Sequence, residues 1–442
     1  MGEHVFVINS HKVAVEILEK NANVFAARPQ NMIMATDLIG WGRAVGLNPG
    51  GEQHRKYRRL LSKVLNSTAV RKFRPLEQRA AEGFLHDLYR SPDDFLKHIR
   101  NSVGNMIVEL SYGRGAKVEG TEYIDYAEHV HEIFGFAARS FAFIVDVVPW
   151  LKHVPEWVPG AGFQKQAHIW RKELDVMAQA PFDMVKSDMV CVQISLLLWK
   201  LILIHACENL AKGSLPRFTT AFLTVFFLLM CLFPDVQARA QKEIDEVVGS
   251  DRLPNVEDEQ RLPYVYALVR EILRYWTIAP IGRSLNRQKK PISSKHTNVV
   301  RTGIPHRATE DFAYGSYVIP KGSTVIGNLW GMMHDPAVYS NPLEFKPERF
   351  LSVEQGGLGE PDPIPTVFGF GRRICPGMHL AAASVWTFSV CVLAAFKIEP
   401  IKNEKGETVL PVVEVGPEII STPRPFKCNI IPRSSTTALL GL

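Results

Sequence analysis

Phe368-Gly369-Phe370-Gly371-Arg372-Arg373-Ile374-Cys375-Pro376-Gly377-Met378-His379-Leu380-Ala381 is the stretch on which the reading of this chain turns, and apolar residues at helical spacing follow it to about Ala395. A glycine-rich loop here delivers a cysteine to the start of a helix. Pro376 suits the first helical turn. The free amides of that N-terminus, with Arg372 and Arg373, favour the thiolate over the thiol, which is how an anionic sulfur ligand is made. Gly369, Gly371 and Gly377 let the backbone pass close to something flat and bulky, where side chains would collide.

Three other readings of the loop compete. A phosphate loop needs GxGxxG after a strand or GxxxxGK[ST], and neither is present. A cysteine nucleophile needs an activating base; His379 is near, but no protease signature surrounds it. An isolated cysteine would by default be a plain buried one. The complete pattern FxxGxRxCxG, met by Phe368, Gly371, Arg373, Cys375 and Gly377, outweighs that default. It resembles the haem-binding loop of the cytochrome P450 superfamily. The resemblance implies heme b (iron protoporphyrin IX) as cofactor, Cys375 as proximal iron ligand, Arg373 pairing with a propionate, and Phe368 packing near the sulfur, with Gly369 and Gly377 also in the cofactor loop.

Further family features recur along the chain. Glu271 and Arg274 stand three apart on one helix face and can form an ion-pair unit. Such a pair alone is common on solvated helices, but FKPERF, Phe345 to Phe350, looks like the family's PERF box, whose Arg349 would complete a structural triad. Gly303-Ile304-Pro305-His306 resembles the strand in which the residue at His306 contacts a propionate, and His334-Asp335-Pro336 resembles the motif that follows it. Glu52 to Arg59 is similar to the WRxxRR helix, with Arg58 implied as a further propionate contact and His54 where the family has tryptophan, a substitution that weakens one haem contact. Trp157 to Phe163 supports fungal microsomal members that modify natural products.

The resemblance implies a mainly α fold with small β-sheets, one large domain over residues 1–442. Helical periodicity agrees over Lys12 to Lys20, Gln53 to Leu65, Leu76 to Tyr89, Asp94 to Leu110, Ile124 to Phe136 and Val236 to Val248. Strands are expected at Val5 to Ile8 and Cys428 to Ile431, with a hairpin of Gly315 to Val318 and Thr324 to Gly327 around Pro320, Lys321 and Gly322. Proline-rich connections run over Pro149 to Pro159 and Pro336 to Pro365. The aromatics from Phe134 to Phe163 read as core packing, with an apolar pocket lining as the alternative. His129 and His131, two apart on a helix, diverge and read as surface residues.

Composition narrows the partners. The chain has 442 residues, 46% hydrophobic and 22% charged, an ordinary globular balance. Its six cysteines form no CxxC pair, which excludes a zinc ribbon or a disulfide scaffold and points to a reducing compartment. The net charge of +6 is local: Arg283 to Arg301 carries six basic residues and no acidic one, so no basic groove for nucleic acid is indicated. No signal peptide or anchor is visible at the N-terminus. The resemblance implies NADPH-cytochrome P450 reductase and an apolar small molecule as partners, at the cytosolic face of the endoplasmic reticulum membrane; the lack of a visible anchor leaves a cytosolic or peripheral chain as the other expectation.

Three segments depart from the family. Residues 190–216 are atypical, and 283–301 reads as a basic, disordered insertion. The acid-threonine motif of the central helix is not recognisable: the region reads Ser214-Leu215-Pro216-Arg217-Phe218-Thr219-Thr220, no Asp or Glu occurs between Glu208 and Asp235, and Pro216 is expected to break the helix. Thr219 or Thr220 is then the candidate for the catalytic proton relay. The expected function is a haem-thiolate monooxygenase inserting one oxygen atom from O2 into an apolar substrate; the alternative is a haem-binding but inactive or misfolded relic.

Overall fold

Four of the long helices described below carry a proline at their first or second position, where a missing N–H costs nothing. The computed structural model describes residues 4–113, 117–118, 121–138, 142–189, 215–278, 303–415 and 420–441. Its long helices are α1 Gly51–Leu65, α2 Arg74–Arg90, α3 Phe95–Tyr112, α4 Tyr123–Ala137, α5 Gly162–Met189, α6 Leu215–Leu232, α7 Pro234–Val247, α8 Pro263–Trp276 and α9 Met378–Ala395. All the periodic segments beyond residue 50 are helical; Lys12 to Lys20 is a short α-turn continued by a wider π-turn. Residues 190–214 and 283–301 lie outside the described residues.

α9 is apolar all round and is therefore a core helix. It is long and apolar enough to cross a membrane, but 78% of it is buried within the fold. It packs against α2, α6, α7 and α8, and α3 closes on α2 and α6. Phe84 of α2 meets Phe388 of α9 at 5.7 Å and Phe227 of α6 at 6.3 Å, and Phe227 meets Phe95 of α3 at 5.2 Å. Apolar residues from every long helix join this one core.

The strands are few: β1 Val5–Ile8, β2 His306–Arg307, β3 Phe312–Tyr314, β4 Tyr317–Ile319, β5 Thr324–Gly327, β6 Phe396–Glu399 and β7 Asn429–Pro432, with two-residue pairs elsewhere. The expected hairpin is corrected. β4 pairs with β3 across Gly315, whereas β5 runs parallel to β1, Val5 facing Thr324, and antiparallel to β2, His306 facing Val325. The Pro-Lys-Gly turn is real, but each strand finds its partner elsewhere. This three-stranded sheet sets His306 in place.

Two more expectations are corrected here. Trp150 and Trp157 are 66% and 80% exposed, so the aromatic stretch is not uniformly core, although Phe134, Phe143 and Phe163 do pack on it. Pro216 stands in the first turn of α6, which runs on unbroken to Leu232; within the described residues it begins a helix and interrupts none.

Candidate functional site

The cysteine loop leaves a short helical turn at Ile364–Val367 and enters α9 through Gly377, its N-cap, so that Pro376 lies just outside the helix. Gly371 has φ +53°, and a Cβ there would stand 2.5 Å from the Leu18 carbonyl oxygen; no larger residue fits. The Cys375 N–H donates to the Phe368 carbonyl at 2.8 Å, closing the loop and leaving the thiol half-buried. Burial pushes that thiol up, offset in part by the Gly377 N–H and the Arg58 cation. The sequence reading assigned this acidifying role to Arg372 and Arg373; Arg58 of α1 performs it, and Arg372 is exposed. A free Cys375 is thus held as a thiol, and a cation at the sulfur would be needed to make it a thiolate.

Beside the loop lies a cluster of cations. Arg373 donates to the carbonyls of Ala26, Val45 and Asn48. Arg28, buried, donates to Gly46, Ile304 and Pro305 at 2.8–3.0 Å. Arg58 reaches the Ile374 carbonyl at 2.6 Å, and the His306 ring bonds the Phe25 carbonyl at 2.8 Å through Nδ1. His54 is buried among them. Among the described residues no carboxylate pairs with Arg28, Arg58 or Arg373. The electrostatic result is uniform. Burial, then the mutual repulsion of these cations, holds Arg28 well below the usual guanidinium range, Arg373 down to about 10, and both His54 and His306 down to about 3. Buried like charges without a counterion are unfavourable, so this cradle is built for an anion. The two carboxylates of a porphyrin beside a cysteine sulfur would satisfy it, and the donor set fits haem. Sequence reasoning missed Arg28; its signal was a lone arginine between the apolar run Val24 to Ala27 and Pro29.

The second charged unit is closed on itself. Arg274 grips Glu271 with two 2.7 Å bonds from Nε and Nη2. Arg274 also donates to the carbonyls of Met333, Pro342 and Glu344, tying α8 to the following connection. Arg349 Nε stands 3.5 Å from Glu271, while its Nη1 meets Glu360 at 3.1 Å and its Nη2 the Asn341 carbonyl at 2.7 Å. The side chains of Glu271, Arg274 and Arg349 have no exposure. Glu360 is a fourth member that no motif announced. Burial works against its ionisation, but bonds from Ser340 and Arg349 leave it below the usual carboxylate range.

Opposite the cysteine loop runs α6. Phe218 packs on Phe368 with ring centroids 5.2 Å apart. Thr219 is buried and Thr220 half-buried, its carbonyl accepting from the Thr224 hydroxyl at 2.9 Å. α6 itself contains no Asp or Glu. His131, expected on the surface, is packed against Trp41, which also meets Phe134, whereas His129 is exposed and pairs with Glu173 at 3.0 Å.

Comparison with known proteins agrees with this arrangement. The cytochrome P450 family model matches residues 1–179, 218–290 and 296–429. Cytochrome P450 monooxygenase 208 of Postia placenta is 33% identical, the alignment covering 99% of this chain and 83% of that protein. Cytochrome P450 monooxygenase claR of Ampulloclitocybe clavipes is 34% identical over 99% of this chain and 79% of its own length. Cytochrome P450 monooxygenase COX2 of Coprinopsis cinerea is 35% identical over 98% and 82%. A solved zebra fish cytochrome P450 with abiraterone shares the fold, with a TM-score of 0.67, 24% identity, and coverage of 98% of this chain and 95% of that one. From its cysteine loop to its central helix, the chain belongs to the cytochrome P450 family.

Proposed function

We propose that Cys375 is the axial ligand of heme b in this chain, with Arg28, Arg58 and Arg373 holding the propionates, and His306 joining them once a bound carboxylate offsets the arginines and lets its Nε2 take up a proton. As a cytochrome P450 the chain is a haem monooxygenase, an oxidoreductase whose family takes small-molecule substrates and electrons from a redox partner. The bound group supplies dioxygen activation, and a thiolate ligand favours O–O cleavage. The protein's own residues supply placement. The Phe368 carbonyl and Gly371 fix the Cys375 loop, and the cation cluster neutralises and orients the acidic edge of the cofactor. On α6, Thr219 Oγ1 or Thr220 Oγ1 holds the proton that the reaction consumes, without a neighbouring acid on that helix. We further infer NADPH-cytochrome P450 reductase as the electron donor, an apolar natural product as substrate, and the cytosolic face of the endoplasmic reticulum membrane as location, with residues 1–442 acting as one domain.

The uncompensated cluster of Arg28, Arg58 and Arg373 next to Cys375 carries this reading. Hemin titration followed by the reduced, carbon-monoxide-bound spectrum tests it. The parent protein is expected to give the thiolate-ligated band and NADPH-dependent product with added reductase, and Cys375→Ala to lose the band. A parent that takes up no hemin, or a Cys375→Ala variant with the parent's spectrum, refutes it.

A further inference from the structure

Two buried polar atoms, one in the turn Trp41–Arg43 and one on α4, have no partner. Trp41, in a single turn at Trp41–Arg43, is 2% exposed, and its indole Nε1 has no acceptor. Its ring lies 5.2 Å from that of His131 and 4.6 Å from that of Phe134, one turn further along α4. His131 bonds the Ala127 carbonyl through Nδ1 at 2.6 Å, while its Nε2 is buried and unpartnered. A carbonyl only accepts, so the proton of the neutral ring sits on Nδ1 and Nε2 is left as an acceptor. Burial, then the nearby Arg217 cation, keeps this imidazole neutral by drawing it down to about 4. Arg217 precedes Phe218 on α6, and the Phe218 ring meets Phe368 of the cysteine loop.

An orphan donor and an orphan acceptor on two neighbouring rings are each unfavourable when buried. One group satisfies both: a hydroxyl, which accepts from the Trp41 N–H and donates to His131 Nε2. An ether or ketone could only accept, leaving His131 unpaired, and a carboxylate would oppose its lone pair. We infer that Trp41 and His131 are specificity-determining residues that anchor a hydroxyl group of an otherwise apolar substrate. This deepens the haem-site reading and rests on it: the chain would act on a molecule that already carries an alcohol or phenol, so an earlier hydroxylating or hydrating reaction must supply it.

The test is equilibrium dialysis of hemin-loaded protein with 1-adamantanol, 1-methoxyadamantane and adamantane, and with farnesol against farnesene. Hemin uptake by the parent is measured first, so failure of the haem reading shows there. The parent should hold each alcohol about tenfold more tightly than its hydrocarbon, as one to two net hydrogen bonds provide. The methyl ether should fall between alcohol and hydrocarbon. Trp41→Phe and His131→Phe, each loaded with hemin as the parent is, should cut the alcohol-over-hydrocarbon preference to about twofold or less, whatever shift the changed ring causes in both members of a pair. A merely structural role would shift both members of each pair together. The assignment is overturned by equal affinity within the pairs or by a preference that survives both substitutions. Tighter binding of 1-adamantanecarboxylate than of the alcohol, or no saturable binding of either alcohol, overturns it as well.

Discussion

Among the described residues, two groups of wholly or partly buried arginines differ in one respect. Arg274 and Arg349 share the carboxylates of Glu271 and Glu360, whereas Arg28, Arg58 and Arg373 have only backbone carbonyls and each other. The first group is complete as the chain folds; the second is half of a site. Breaking the complete unit should therefore have the larger effect on folding. Glu271→Gln leaves two unexposed guanidiniums short of their shared anion, at a cost of about 3–5 kcal/mol, a large part of a typical total of roughly 5–15 kcal/mol. Soluble yield and denaturant midpoint should fall steeply. A midpoint within about 1 kcal/mol of the parent would erase the distinction drawn here.

The incomplete group should respond in the opposite way. Arg373→Gln relieves repulsion among cations while losing three carbonyl contacts, so hemin-free stability should stay within about 1 kcal/mol of the parent. Hemin loss to an excess acceptor should accelerate about 10- to 100-fold, the worth of one charge-assisted bond. A slower or unchanged loss would remove Arg373 from the cradle. His306 sharpens the same point through pH. Its folded-state value, about 3, lies below the ordinary 6.5, so the unfolded chain binds the extra proton between those limits. Its contribution is fully present above pH 6.5 and is lost as pH falls toward about 3. Subtracting a His306→Gln variant isolates this term from Glu77, which burial raises to about 7 and which contributes a slope of the opposite sign between its ordinary value and that limit. The hemin-free parent should lose about 1.4 kcal/mol per pH unit relative to the variant below pH 6, and the loaded protein less, because bound carboxylates relieve the repulsion.

What the sequence made legible follows the same division. The cysteine loop, Glu271 with Arg274, and the PERF box are short, and their chemistry lies within a few residues. Arg28 enters from a loop distant in sequence from Arg373, and Glu360, eleven residues from Arg349, belongs to no motif; only the folded chain shows that they complete those units. The mispaired hairpin has the same cause: a local turn at Pro320 to Gly322 was visible, but β5 pairs with a strand more than three hundred residues upstream. Position along a helix was legible and facing was not. His131 turns inward because Trp41 receives it, and Trp157 is exposed despite its apolar bulk. Pro216 was read from its effect inside a helix, yet the same ring is harmless in a first turn.

A third kind of arginine calibrates the other two. Arg79 of α2 meets Glu109 of α3 at 3.2 Å, but the side chains remain 62% and 46% exposed. Water already solvates both charges, salt screens them, and holding two long side chains together costs entropy that offsets most of the attraction. Glu109→Gln should therefore change stability by less than about 1 kcal/mol, and the small difference should vanish at high salt. The Glu271→Gln loss should persist in the same salt series, because ions do not reach a pair without exposure. Equal salt sensitivity in the two variants would mean that burial is not what separates these arginines, and the contrast between a closed charge unit and an open cofactor cradle would lose its physical basis.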